Sequence, residues 1–429
     1  MLRGPQGTLF GRNTIGGAIS ITTKKPGPDF GGQASILYGT DNRVLPTATI
    51  NVPLSDTLFF KASAAYEYQE GFVERPDGLK TGDEDRLSGR AQLRWQPNEK
   101  LDMNLVFDFT RERTNGAPYV LVETNADGFY ATNPDGSPTP FPNAERSAVF
   151  PFFHNVVLNG ETCAGGPPPV VTPPNDPRCF GSHFIPENQD QDFSNKDVRS
   201  DLDIFGVSFT LDYDFGSTQL KSITSYREVD SVYNLDQDHS PLPIAEVDSI
   251  NDQWQFTQEL QLVGEAFDGR LNWVGGIFYF KEQATALEEV LFPVVNFQSG
   301  GSVDNDSIAG FAQGTFDFTD KLSMTAGIRY TRDKKRFSPD QFVFSSQIGI
   351  PPGVPILPPG EVSEVFSDWT PMVNLAYQWT PDVMTYFTFS EGFKSGGFTQ
   401  RIFPPLPEVP SFQPETARVV EAGFKTQSF

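Results

Sequence analysis

Two cysteines are the residues of this 429-residue chain with the most specific chemistry. Cys163 and Cys179 lie in one polar stretch that is rich in proline and glycine. A disulfide between them would close a loop and stabilise the folded state by about 3 kcal/mol, because it lowers the entropy of the unfolded chain. Oxidising compartments permit such a bond. We predict the disulfide, with two free thiols as the alternative. Labelling with a thiol-blocking reagent in the absence of reductant would decide between them.

Histidines and paired acids are candidate metal ligands. His239 follows Asp236 and Asp238, a local pattern that could bind a metal. The acid pairs could bind Ca²⁺, but they lack the spacing of an EF-hand. We therefore predict no metal site and interpret these side chains as solvated loop residues: His154, His183, His239, Asp190, Asp192, Asp304 and Asp306.

Catalytic and cofactor motifs are missing from the chain. A glycine-rich segment near the N-terminus resembles a phosphate-binding loop at first sight, but it has neither the G-x-x-x-x-G-K-[ST] spacing nor G-x-G-x-x-G. The chain also contains no G-x-S-x-G elbow and no H-E-x-x-H. We predict no enzyme activity and no cofactor.

Composition excludes further classes. The 55 acidic residues outnumber the 32 basic ones, the net charge is -23, and no basic stripe occurs, so nucleic acid is not expected as a partner. The longest apolar stretch, 148–153, is far shorter than the roughly 20 residues of a membrane-spanning helix. No secretion signal follows Met1, so we expect either a cytosolic protein or a chain whose true start is missing.

Alternation of apolar and polar residues runs through most of the chain, for example over 101–109, 205–215 and 322–330. Successive side chains of a strand point to opposite faces, so each run has one apolar and one polar face. The runs are about 10–14 residues long, which exceeds the usual strand of a β-sandwich and suits a tilted strand that crosses a bilayer. We predict roughly fourteen antiparallel strands.

Connections of two lengths alternate along the chain. Very short turns are predicted at 54–56, 97–99, 215–217, 319–320 and 380–382, and a slightly longer one at 264–269. Long polar connections are predicted between them, at 69–85, 114–197, 233–251, 284–303, 335–361 and 394–415. This places the short turns at one edge of an up-and-down sheet and the long loops at the other. Outer-membrane barrels have this asymmetry, whereas a soluble barrel has less reason for it.

Aromatic and charged residues fit the same prediction. Tyrosines and tryptophans near strand ends would form the two interfacial girdles of a membrane barrel: Tyr66, Tyr68, Trp95, Tyr226, Trp254, Trp273, Tyr279, Trp369, Tyr377, Trp379 and Tyr386. A soluble aromatic core is the alternative. Several charged strand residues should face the interior: Asp102, Asp108, Asp212, Glu259 and Arg329.

The N-terminal segment reads LRGPQGTLFGRNTIGGAISITTKKP over 2–26. It resembles the end of the plug domain of TonB-dependent outer-membrane receptors, where an R-G-P-x-G-x-L-[FY]-G-x-N-x-x-G-G-x-I-x-I-x-T run leads into the barrel. Stretches at 257–262, 271–279, 386–398 and 414–425 are similar to barrel hairpins of the family. The motif residues are Arg3, Gly4, Pro5, Gly7, Gly11, Arg12, Asn13, Gly16 and Gly17. Arg3 and Arg12 either ion-pair with acids of the barrel wall or are plain structural anchors.

The resemblance implies active uptake of a scarce, bulky nutrient across the outer membrane of a Gram-negative bacterium. Iron complexes such as ferric siderophores are the expected cargo; cobalamin, haem and glycans are alternatives. The implied partners are outer-membrane lipid, the cargo, and TonB with its inner-membrane complex. A passive porin or a surface-adhesin barrel is the first rival, and a soluble lectin-like or enzymatic β-protein is the second.

The resemblance also predicts an incomplete all-β protein. Receptors of this class have 22 strands with a plugged lumen, so about 14 of 22 strands of a transmembrane antiparallel barrel would be present. We assign 1–26 to the C-terminal end of the plug and 27–429 to a barrel truncated at its C-terminus. The segment that contacts TonB would then be missing, and the ligand-contacting residues cannot be assigned.

Overall fold

Strands dominate the computed structural model, which describes residues 2–11, 13–122 and 177–426. The helices are one turn of α-helix, α1 (Gly7–Phe10), and a 3₁₀ turn (Ser182–Phe184). No helix in these ranges is long and apolar enough to span a membrane. The strands are β1 (Leu2–Arg3), β2 (Gly17–Ala18), β3 (Gly31–Tyr38), β4 (Val44–Pro53), β5 (Leu58–Gln69), β6 (Val73–Glu74), β7 (Lys80–Thr81), β8 (Glu84–Asn98), β9 (Leu101–Thr114), β10 (Arg199–Asp214), β11 (Thr218–Asp236), β12 (Glu246–Ala266), β13 (Leu271–Phe292), β14 (Val295–Asp317), β15 (Leu322–Pro339), β16 (Phe342–Ser346), β17 (Val362–Thr380), β18 (Val383–Lys394), β19 (Gly397–Phe398), β20 (Ser411–Phe412) and β21 (Glu415–Thr426).

One antiparallel sheet contains fourteen of these strands in a single path, as predicted. Its order is β3-β4-β5-β8-β9-β10-β11-β12-β13-β14-β15-β17-β18-β21, and the short β16 pairs beside β14. Strands that are neighbours in this path also follow one another along the chain. This is the up-and-down arrangement. In the described part of the chain, β3 and β21 have one neighbour each.

Short turns occupy one edge of the sheet, as expected from the sequence. The connections at this edge are 54–57, 99–100, 215–217, 267–270, 318–321 and 381–382. At the opposite edge the connections are longer, with one exception: β13 and β14 are joined by Pro293 and Val294 alone. We call the two edges the short-turn edge and the long-loop edge.

The strands next to that tight hairpin differ from the prediction, because they continue through segments assigned to loops. β11 to β15 reach far into the predicted loops 233–251, 284–303 and 335–361. These outer parts of the strands carry polar residues on both faces; Glu288 and Glu289, for example, are consecutive in β13. Such segments lack the period-2 signal on which the strand prediction depended. Asp304 and Asp306 accordingly lie within β14 and are not loop acids.

The pairing register assigns every strand residue to one of two faces, because residues directly opposite each other in a ladder share a face. Asp102 lies opposite Asp212, which lies opposite Lys221; continuing across the sheet, Arg329 lies opposite Thr370 on this same face. All five charged residues predicted to face the interior fall on this face, and residues 2–26 pack against it. We call it the inner face.

Apolar side chains cover the other, outer face. Ile277 is 58% exposed, Ile328 44% and Val420 65%, and the register places all three outward. A soluble protein rarely leaves a contiguous apolar band of this size exposed. The band is therefore the lipid-facing surface of a membrane protein.

The aromatic residues follow the predicted girdles. Ten of the eleven tyrosines and tryptophans named above point outward. Tyr226 stacks on Trp254 at 6.1 Å between ring centroids, and Tyr330 packs on Trp369 at 4.8 Å. Tyr386 is the exception: it lies on the inner face and donates a hydrogen bond to Glu421.

Two hydrophobic clusters lie at the long-loop edge. One is built around Val247, Phe297, Val343 and Ile356, with Phe403 stacked on Phe297 at 5.0 Å. The second consists of Phe180, Phe184, Ile244 and Ala245. The long loops therefore pack on one another and on the strand ends through cores of their own.

Candidate functional site

The candidate functional site is the surface between the N-terminal segment and the inner face of the sheet. In the segment, α1 packs against β14, β15, β17 and β18. Further along, the chain crosses to the opposite part of the sheet, where Asn51 of β4 hydrogen-bonds the backbone of Gly27 and Asp29. The segment thus contacts the inner face in two separate places, and residues between them, such as Ile19 and Ile21, are exposed.

Small residues let α1 approach the wall closely. A Cβ atom on Gly7 would lie 3.4 Å from Cβ of Thr370, and one on Gly327 would lie 2.8 Å from Cγ2 of Thr8. Thr8 is buried and donates a hydrogen bond of 3.2 Å to the Thr370 carbonyl. The contact depends on glycine both in the segment and in the wall.

A second close contact lies at β18. A Cβ on Gly392 would meet Cβ of Pro5 at 2.9 Å and Cα of Ile15 at 3.1 Å. The Asn13 side chain accepts a hydrogen bond from the Ser395 backbone N–H at 3.1 Å, just beyond β18. Asn13 has φ +61, a left-handed conformation that asparagine tolerates better than most residues.

Positive φ angles explain part of the glycine content of the motif. Gly4, Gly11 and Gly17 have φ of +72, +89 and +143, which strongly disfavour residues with a side chain. Gly16 does not have a positive φ, and a Cβ atom at Gly16 would meet no other atom within 4 Å. β1 pairs with β2 through Leu2 and Arg3. The Arg3 side chain and the whole of Arg12 lie outside the described part of the chain. That they ion-pair with the wall therefore stays a prediction.

The end of the segment is fixed by an ionic network near the short-turn edge. Arg94 makes two hydrogen bonds to Asp102, of 2.9 and 2.8 Å, and a third to the Pro26 carbonyl. Lys25 lies 3.2 Å from Asp102 and 3.5 Å from Asp212. The Lys25 side chain is 41% exposed, so its pairs contribute at most about 1 kcal/mol.

Four buried polar side chains on the inner face of strands that contact α1 have atoms without a hydrogen-bond partner among the described residues. They are Ser307, Arg329, Asp333 and Thr370. Ser307 lies opposite Asp333, and Arg329 lies opposite Thr370, so the four form one block on β14, β15 and β17. Unpaired buried polar groups are costly and call for water or a further partner. The wall behind the segment is thus built for a polar environment.

A loop cluster that differs from the prediction lies at the long-loop edge. His239 is not a solvated surface residue: its side chain is 17% exposed, and its Nδ1 lies 3.5 Å from Asp192 Oδ1. Asp236 accepts hydrogen bonds from the backbone N–H groups of Asp238 and His239, both 3.0 Å. Asp238 accepts one from the Ala245 N–H at 2.9 Å. The cluster ties the connection 237–245 to the segment that contains Asp192.

Protonation should strengthen this cluster. Burial raises the pKa of Asp236 to about 7, and the charge of Asp238 acts in the same direction. Burial lowers the pKa of His239, but the hydrogen bond and charge of Asp192 outweigh it, so that this pKa is raised. Burial raises the pKa of Asp192, but its bonds to His239 and Ser194 outweigh burial and lower it. Groups with a raised pKa stabilise the folded loop at low pH and lose this contribution as pH rises through 7.

We therefore expect amide hydrogen exchange in 237–245 to become faster between pH 6 and pH 8, after correction for intrinsic rates. The protection factor should fall by roughly tenfold or more, since one pKa unit corresponds to about 1.4 kcal/mol. Asp192 titrates below this window and does not oppose the effect. Asp236→Asn keeps the acceptor oxygen and should flatten the pH dependence; protection that is independent of pH in the unaltered protein would contradict the account.

The remaining predicted sites have mixed outcomes. Cys179 is fully buried. Cys163 and His154 lie outside the described residues, so the disulfide between Cys163 and Cys179 and the solvated state of His154 stay predictions. Asp190 is exposed, whereas Asp192 is buried. Within the ranges that the structure describes, no three His, Cys, Asp or Glu side chains are placed to hold a metal ion.

The wall residues Gly327, Thr370 and Gly392 were not identified from the sequence. Gly392 belongs to the similar stretch 386–398, and a glycine within a strand can mark close backbone approach. That signal does not name the partner, because Pro5 and Ile15 are distant in the sequence. The sequence alone does not show that these two ends of the chain are in contact.

Comparison with known proteins decides the family. Residues 159–429 match the model of the TonB-dependent receptor-like β-barrel family. This chain belongs to the TonB-dependent receptor-like β-barrel family. Members of the family are β-barrels of the Gram-negative outer membrane, and we place this protein there, with its long-loop edge outside the cell.

Individual relatives of this receptor are similar over limited stretches. The metal-pseudopaline receptor CntO of Pseudomonas aeruginosa is 27% identical over 115 residues, 26% of this chain and 15% of that protein. The pesticin receptor of Yersinia enterocolitica is 31% identical over 150 residues, 33% of this chain and 21% of that protein.

Solved structures share the fold along the whole receptor chain. The ferric yersiniabactin uptake receptor FyuA of Yersinia pestis superposes with a TM-score of 0.71 at 15% identity, over 99% of this chain and 56% of that one. The siderophore receptor PiuA of Acinetobacter baumannii gives 0.67 at 12% identity, over 100% and 59%. This chain therefore spans somewhat more than half the length of these receptors, and its sheet matches the corresponding part of their barrels.

Proposed function

We propose that the protein takes up a ferric siderophore or another bulky iron complex across the outer membrane, with energy supplied through TonB. The observation that carries this proposal is the N-terminal segment lying across a polar inner wall. A passive porin has no such glycine-rich segment leading into its first strand. Proteins of similar sequence include receptors for metal-pseudopaline and ferrioxamine B, which favours a metal complex as cargo.

The same contacts support a division into two domains. We propose that 1–26 is the end of a plug and that 27–429 belongs to the barrel. The plug motif supplies close-packed glycines rather than ligands, since Gly7 contacts the wall and Gly4, Gly11 and Gly17 shape the chain. We propose no catalytic role for any residue; the family consists of transport receptors.

Mechanically, the attachment of the segment is suited to release. Among the described residues, its polar ties to the wall include the Thr8 and Asn13 hydrogen bonds, the partly exposed Lys25 pairs, and the hydrogen bonds that Lys61 and Arg94 donate to the carbonyls of Lys24 and Pro26. Each such tie contributes on the order of 1 kcal/mol. The wall behind it carries polar groups that can be hydrated once the segment moves. The outer membrane holds no ATP, so the force must come from the inner membrane, which is the role we propose for TonB.

Uptake assays test this function. A strain lacking the full-length gene should lose growth and ⁵⁵Fe uptake on one iron chelate of a panel, and the gene should restore both. Uptake should also disappear when TonB is deleted. Uptake that persists without TonB would favour the passive porin, and a defect confined to cobalamin, haem or a glycan would replace iron as the cargo.

A further inference from the structure

A column of cations stands on the outer face of β15. Arg332, Lys334 and Arg336 follow Tyr330 at alternate positions and all point outward. Below them, the nine residues from Leu322 to Tyr330 would span about 23 Å at the usual rise and tilt. This matches the height of the apolar band of an outer-membrane barrel, about 25 Å. The cations therefore begin where the outer lipid headgroups begin.

Two of these cations are free to bind a ligand. Arg336 and Lys281 both pair with Asp304 and Asp306; Lys281 lies 2.6 Å from Asp304, and Arg336 lies 2.6 Å from Asp306. Among the residues that the structure describes, Arg332 and Lys334 have no ion pair. Four cations against two acids leave this patch with two positive charges, in a chain of net charge -23.

The neighbouring sector of the outer face has the opposite character. Asp203, Asp230 and Asp252 lie directly opposite one another on β10, β11 and β12, beyond the Tyr226–Trp254 pair. Asp203 pairs with Arg113, whereas Asp230 and Asp252 form no ion pair with a described residue. An anion at this height would be repelled there and attracted to β15. The charges thus select one sector of the barrel for an anionic lipid, above the packed rings of Tyr330 and Trp369.

We propose that Arg332 and Lys334 bind the phosphorylated headgroup of an outer-leaflet glycolipid, with Tyr330 and Trp369 against its first acyl carbons. Asp304 and Asp306 hold Arg336 and Lys281 in place at the side of the site. Each Lys or Arg near an anionic lipid surface contributes measurably to binding. The proposal depends on the orientation with long loops outside, and not on the nature of the cargo.

Native mass spectrometry of the full-length receptor in detergent tests the site, with bisphosphorylated lipid A as the probe. The receptor should bind lipid A with an affinity that falls roughly tenfold or more in the double variant Arg332→Gln/Lys334→Gln. Lipid A from which both phosphates have been removed should bind the unaltered receptor as weakly as the intact lipid binds the variant.

The double variant Lys100→Gln/Lys321→Gln is the matched control. It removes the same charge from two exposed lysines in the short turns at the other interface, and it should leave lipid A affinity unchanged. Equal affinity of the β15 variant and the unaltered receptor would overturn the proposal, as would equal binding of the dephosphorylated lipid. This measurement does not depend on iron uptake. A result that overturns the lipid site would therefore leave the transport proposal standing.

Discussion

Leu260→Arg should destabilise the receptor in a bilayer, whereas Gln261→Arg, one residue further along β12, should leave its stability nearly unchanged. Leu260 lies opposite Ile277 on the outer face, in the middle of the apolar band. Gln261 lies opposite Gly276 on the inner face, where its amide donates to the Glu259 carboxylate. An arginine at the lipid midplane costs roughly 2–4 kcal/mol, while one beside Glu259 gains an ion pair.

Folding into lipid vesicles measures this difference. Urea titration of the full-length receptor should give a free energy of unfolding that is lower by roughly 2–4 kcal/mol for Leu260→Arg than for the unaltered protein. The adjacent variant controls for the size and charge of the new side chain. Equal stability of the two variants would mean that the faces have been assigned wrongly.

Gly392→Val should displace the N-terminal segment from the wall. The new side chain would meet Pro5 at 2.9 Å and Ile15 at 3.1 Å, and both contacts belong to the segment. β18 is held by hydrogen-bonded ladders to β17 and β21, whereas the segment is held by separate contacts, so the segment should yield before β18 does. Overpacking of this kind costs about 1–3 kcal/mol, which raises the displaced population roughly 5- to 150-fold.

Leakage through the barrel reports that displacement. Cells with Gly392→Val should become sensitive to vancomycin, which normally does not cross the outer membrane, and the purified receptor should show open-channel events in planar bilayers. Gly310→Val is the control, since Gly310 lies in β14 on the outer face and a Cβ there meets nothing within 4 Å. A control variant that leaks equally would indicate general damage to the barrel.

Strands with one apolar face were predictable from the sequence alone. The alternation at 101–109 predicted a strand that is observed as β9, and the one at 322–330 predicted the start of β15. The charged residues assigned to the interior share one face, because alternation fixes the face as well as the strand. The strands were predicted only as far as the alternation of apolar and polar residues continues. The outer ends of β11 to β15 are polar on both faces and were therefore assigned to loops.

The site was predictable only from one side. The motif in 2–26 indicated a plug end, because its glycines form a dense and specific pattern. The residues that it contacts on the wall are single positions such as Gly392 and Thr370. The alternating pattern does not distinguish these positions from any other residue of a strand. His239 was assigned to solvent for a similar reason: Asp192, which buries and pairs it, is remote in the sequence. Contacts between distant segments leave little trace in a single sequence.

A reversible lock between segment and wall tests the central claim most directly, namely that residues 2–26 are a plug end that must move for transport. Cβ atoms at Gly7 and Thr370 would be 3.4 Å apart, close to the range of natural disulfides. In the full-length receptor, Gly7→Cys/Thr370→Cys should bind the iron chelate identified by the growth assay with unchanged affinity. Without reductant it should not transport the chelate, and reduction should restore uptake; transport at the full rate by the oxidised, cross-linked receptor would contradict the account.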